Sequence, residues 1–96
     1  MKSENAKRIL VILTIDTENL PDNFPVILKH EREMVAQWKK EGFLELLFLR
    51  PTKNGAVLIF KDKNEEDVNK LMTTLPFYRL KKSLEILPLI MDAELE

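Results

Sequence analysis

The chain has 96 residues, enough for one hydrophobic core and too few for two. With 15 Lys and Arg against 16 Asp and Glu the formal net charge is −1, so there is no broad basic field to hold a phosphate backbone, and nucleic acid is not an expected partner. The absence of Cys and the presence of one His exclude disulfides, thiolate zinc and iron–sulfur sites, a cysteine nucleophile and a multi-histidine metal site; no metal or other cofactor is expected.

Residues 1–7 (MKSENAK) read as a loose polar tail with no apolar stretch of a leader, so cytoplasm is the expected location. Ile9 to Ile15 is a β-branched run that predicts a strand and is too short to cross a bilayer, so no membrane partner is expected. Asn19 to Asn23 carries turn residues. From about Asp22 to Glu41 the apolar spacing becomes helical. Asp22 or Asn23 can cap it, Pro25 suits the first turn, and Gly42 after Lys39 and Lys40 suits the end.

Phe43 to Arg50 predicts a second strand, Pro51 to Gly55 a turn with the Asn-Gly hairpin signal, and Ala56 to Lys61 the returning strand. Asn64 caps a second helix, Glu65 to Thr74, which Leu75-Pro76 stops. Ser83 to Leu89 is a fourth strand whose Pro88 requires a strand end or a sheet edge. Residues 92–96 read as an acidic tail, leaving a single domain over 8–91. The order βαββαβ is the ferredoxin-like split arrangement: an α+β fold with a four-stranded antiparallel sheet and two helices on one face.

The strands lack the polar alternation of a sheet with one wet face. Ile9, Val11, Leu13 and Ile15 oppose Leu10, Ile12 and Thr14. Phe43, Leu47 and Leu49 oppose Leu44, Leu46 and Phe48, and Ala56, Leu58 and Phe60 oppose Val57 and Ile59. Two helices cover one face only. Burying roughly 700 Å² of apolar surface per subunit on the other would give on the order of 17 kcal/mol before the costs of association. A homodimer or higher homo-oligomer paired through the sheets is therefore expected.

On a helical wheel Phe24, Ile27, Leu28, Met34, Val35 and Trp38 form one stripe, and Glu31 falls near its middle. A carboxylate there is either paired with a Lys or wetted at the stripe's edge, or it sits in a pocket with a raised pKa, suited to general acid–base work. His30, at the margin, is a surface residue or a ligand contact. Arg50 is either structurally paired or a bidentate clamp for a ligand carboxylate. Trp38 is core or cavity lining, and Tyr78 can offer a hydroxyl to a pocket. Glu45 points into the space between paired sheets or lies at a wet edge. Arg79, Lys81 and Lys82 form a solvated turn or an anion-binding lip.

Glu31-Arg32-Glu33-Met34, then Glu41-Gly42, Phe60 ending the third strand, Leu75-Pro76-Phe77-Tyr78, and Leu20-Pro21 after the first strand resemble the muconolactone isomerase family over residues 8 to 90. The resemblance implies a ferredoxin-like subunit pairing as a dimeric α+β barrel. It also implies a cofactor-free isomerase that moves a double bond in a lactone by carboxylate-mediated proton shuttling. Glu31 matches the family's glutamate position, and Arg50 would then hold the substrate carboxylate; His30, Trp38 and Tyr78 stand beside them as candidate contacts to a small anionic ligand on their own residue chemistry. Glu45-Leu46-Leu47 departs from the basic, His- and Trp-containing segment of the family, and Arg79 stands where the family tends to have Pro. Two rival readings keep the same fold. One is a non-catalytic ligand-binding or structural dimer with Glu31 salt-bridged. The other is a cofactor-free monooxygenase, disfavoured because one Trp and one His offer little to steer oxygen.

Overall fold

A computed structural model describes residues 7–92. Strand β1 (Lys7–Ile15) is followed by helix α1 (Phe24–Glu41), strands β2 (Leu44–Leu49) and β3 (Gly55–Phe60), helix α2 (Glu65–Thr73), a 3-10 helix (Pro76–Leu80) and strand β4 (Lys81–Ile90). The sheet is antiparallel throughout, in the order β2-β3-β1-β4, which is the ferredoxin-like α+β topology. Of the two expected tails, residues 1–6 and 93–96 lie outside the described residues, while Lys7 begins β1 and Asp92 follows β4.

The centre of the sheet is β1, paired on both sides, which is where a β-branched run belongs. Its Ile9, Val11, Leu13 and Ile15 are buried in one core with Leu58 and Phe60 of β3, Trp38 of α1, and Val68 and Met72 of α2. Both helices therefore cover the same face. Leu10 and Ile12 point to the other face and are half-buried. Pro88 lies in β4, an edge strand, where its missing N–H interrupts no ladder.

The boundaries of α1 follow from its caps. Pro25 occupies the first turn, though Asn23 at the N-cap makes no side-chain hydrogen bond. Gly42 ends the helix in the left-handed region (φ 96°), its N–H donating to the carbonyls of Trp38 and Lys39. In α2 the Asn64 side chain accepts the Asp67 N–H at 2.7 Å, as a capping residue should.

Two details depart from the simple alternation. In β2, Leu44 pairs with Phe60 and Leu46 with the adjacent Ile59, so Glu45 is the extra residue of a β-bulge. The bulge puts Leu44 on the helix-covered face with Leu47 rather than opposite it, and Leu44 is fully buried. In the β2–β3 hairpin the left-handed residue is Lys53 (φ 62°), not Asn54 or Gly55. Gly55 is needed for a different reason: a side chain there would run into the backbone carbonyl of Leu13 on the neighbouring strand.

Candidate functional site

Phe24, Glu31 and Trp38 are spaced by seven residues and share one line along α1, facing the core side. Trp38 belongs to the core, its ring 5.9 Å from those of Phe43 and Phe60. Glu31, 7% exposed, is the only buried charged side chain among the described residues. It lies where α1 meets the 3-10 helix, and its Oε1 accepts the backbone N–H of Phe77 at 2.9 Å. About two turns away along α1, the Phe24 ring stacks on that of Phe77 at 5.6 Å. Burial raises the Glu31 carboxyl to about 7, with the Phe77 N–H pulling the other way. Among the described residues no cation forms an ion pair with it.

The sequence supports this turn. Leu75 is buried and anchors it; Pro76, which cannot continue α2, opens a 3-10 helix that turns the next backbone N–H toward α1. The 3-10 helix contains no fully buried residue, but Phe77 and Leu80 pack half-buried against the core, and the Glu31 bond, the Phe24–Phe77 stack and the Asp16 N–H donating to Leu80 O at 2.9 Å tie it further to the subunit.

The other candidates are not gathered around Glu31. Tyr78 follows Phe77 in the turn and is half-buried, with Lys81 Nζ 4.4 Å from the centre of its ring. His30 is exposed on α1. Trp38 is two helical turns along, about 10 Å by helical rise. Arg50 donates from Nη1 to Thr14 Oγ1 at 3.2 Å, and Thr14 alternates with the buried Leu13 and Ile15. Within one subunit its guanidinium is therefore on the opposite side of the sheet from Glu31. Glu45 also turns to the helix-free face, where it pairs with Arg8 at 2.7 Å; this pairing lowers the Glu45 pKa.

A cleft of about 630 Å³ opens between Arg8, Asp62, Lys63, Asn64 and Pro88, at the end of the sheet remote from the 3-10 helix. Glu31 lines neither this cleft nor four others of about 310–460 Å³. No group of three or more His, Cys, Asp or Glu is placed to hold a metal ion, and no helix is long and apolar enough to cross a membrane, among the described residues.

Two partners escaped the reading of the sequence. The Phe77 backbone N–H carries no residue-type signal, although Pro after a buried Leu marks a turn that frees backbone donors. Arg8 gave no sign of its partner, because the bulge that aims Glu45 is not visible in the residue pattern. No protein-family model and no curated protein matches the chain.

Proposed function

We propose that the protein is a muconolactone isomerase-like, cofactor-free isomerase that moves a proton within a small anionic organic molecule, and that it works as a homodimer paired through the helix-free sheet faces. The observation that carries this reading is the state of Glu31: a buried carboxylate with no ion-pair partner among the described residues, raised to about 7 by burial. Such a group is divided between base and acid near neutral pH. A single residue can then take a proton from one carbon and return it to another without a second catalyst.

Pairing is supported by the open face. Leu46 (45% exposed), Phe48 (55%), Leu87 (43%) and Leu89 (41%) lie on it beside the half-buried Leu10, Ile12, Val57 and Ile59. Together they expose on the order of 500 Å² of apolar surface, at the upper end for a soluble monomer and more than half of the ~800 Å² per partner in a stable interface. The occupant that matches a hydrophobic sheet of this size is a second copy of the same sheet. The substrate anion would be met by Arg79 and Lys81, two and four residues after Phe77, rather than by Arg50 across the sheet.

A non-catalytic dimer is the second reading, favoured by the Phe77 N–H that already occupies the carboxylate. Incubation with muconolactone in deuterated water separates the two. The isomerase reading expects a shifted double bond with the wild type, with deuterium at the reprotonated carbon to the extent that Glu31 exchanges with solvent before returning the proton, and no shift with Glu31→Gln. If the wild type leaves the lactone unchanged and unlabelled, the isomerase reading fails.

A further inference from the structure

Resting on the proton-transfer reading of Glu31, the geometry points to the Phe77 backbone N–H as the group that holds the oxyanion formed when Glu31 takes a proton, with the Pro76–Leu80 turn, which carries that N–H, shifting from α1 to admit the ligand between them. Glu31 and the Phe77 N–H meet at 2.9 Å, so a ligand that reaches one reaches the other. The donor is shared in a way that suits the chemistry. While Glu31 is a carboxylate it draws the N–H to itself. Once protonated it is a poorer acceptor, and a new oxyanion becomes the better one.

The electron balance closes without a co-reactant. Glu31 takes a proton from a carbon conjugated with the ligand's carbonyl. The C–H pair becomes part of a delocalised enolate, and the carbonyl π pair moves to oxygen, which accepts the Phe77 N–H. The enolate then takes the proton back from Glu31 at a different carbon; the C=O bond is restored and Glu31 is a carboxylate again. The result is an isomer and an unchanged protein.

The shift follows from packing. Glu31 is buried, while the 3-10 helix beside it is held to the core by the half-buried Phe77 and Leu80, with no residue fully buried and no side-chain cap at its start. Its aromatic link to α1 is the Phe24–Phe77 stack. A planar ligand can replace one ring face of that stack with its own, so opening the turn exchanges one aromatic contact for another. The charged and titratable neighbours are few. On α1, His30 and Arg32 are exposed; on the 3-10 helix, Arg79 is exposed and Tyr78 half-buried; at the start of β4, Lys81 lies over the Tyr78 ring.

The test uses 2,6-difluoro-4-nitrophenolate, a planar oxyanion that stays ionised in weak acid, with the intact protein and 15N-resolved amide spectra. With Glu31→Gln, binding is expected to move the Phe77 amide resonance downfield and to be independent of pH. With the wild type the same resonance should move at about pH 5.5, where Glu31 is neutral, and binding should weaken about tenfold at about pH 8.5, where two negative charges compete for one donor. The wild-type arm stands even if the variant folds poorly. Binding that leaves the Phe77 amide unmoved, or no binding to either protein at millimolar probe, overturns the inference. Muconolactone turnover without a Phe77 response would refute this role for the N–H and leave Glu31 as the base. A Phe77 response without turnover supports the oxyanion site while refuting the isomerase reading.

Discussion

Arg8 of β1 and Glu45 of β2 form an ion pair at 2.7 Å although β3 lies between their strands. The bulge makes this possible. By removing Glu45 from the ladder it lets the carboxylate reach over the end of β3 on the helix-free face, where Arg8 alternates with the buried Ile9. The pair thus closes one end of the apolar face formed by Leu10, Leu46 and Ile59.

The Arg8 contact holds the Glu45 carboxyl below its ordinary value, so its stabilisation is present above the unfolded-state carboxylate pKa and disappears as pH falls through the lower folded-state value. Both side chains are partly solvated, which limits the effect to about 0.5–1 kcal/mol. Glu45→Gln should lower the unfolding free energy by that amount at neutral pH, and by nothing measurable in strong acid. Urea unfolding at the two pH values checks this.

Glu31 has the opposite sign. Its folded-state pKa of about 7 is above the ordinary 4.5, so the folded protein holds the proton more tightly than the unfolded chain. Stability is greatest below the unfolded value, falls as pH rises between the two, and levels off above the folded value. Taken over 2.5 units, the loss is on the order of 3 kcal/mol. Glu31→Gln keeps an acceptor for the Phe77 N–H and removes the buried charge. The variant should be more stable than the wild type at alkaline pH by about 1–3 kcal/mol, with the pH dependence flattened in thermal or urea unfolding.

The proposed pairing makes a prediction about mass. The wild type should scatter light as a dimer or larger at micromolar concentration. The double change Leu46→Asp and Phe48→Asp, at two side chains about half exposed in the subunit, should give monomers with an unchanged helical circular-dichroism signal. A wild type that remains monomeric would contradict the pairing.

Gly55→Ala should be among the most damaging small substitutions. The added methyl meets the Leu13 carbonyl, which belongs to the central strand and cannot move without disturbing both ladders. A loss of about 2–4 kcal/mol is expected by denaturant unfolding. Gly42→Ala, where the same methyl meets open space but φ is 96°, should lose only about 1 kcal/mol.

The element order and the two-sided apolar strands were legible because hydrophobic period and cap chemistry are local properties. Ile9 to Ile15, Gly42 and Asn64 each announced their roles. Glu31 was conspicuous as a charge inside an apolar stripe. What the residue pattern could not show were events set by the third dimension. The bulge at Glu45 reversed the facing of Leu44. The close approach of Leu13 gave Gly55 a steric role in place of a turn role. The Phe77 N–H completed the Glu31 site through the backbone, where no side chain marks it. The place of Arg50 at a strand end leaves a structural pairing and a ligand clamp both open, and only the folded structure shows that its guanidinium meets Thr14 on the other side of the sheet.

The central claim is that Glu31 exchanges a proton near neutral pH, and a carboxyl-carbon NMR titration of the intact protein measures it directly. With the side-chain carboxyls labelled and Glu31 assigned by its absence in Glu31→Gln, its resonance should titrate near 7. A midpoint at the ordinary carboxylate value of about 4.5 would contradict the account, because burial would then not be holding a proton on Glu31 near neutral pH.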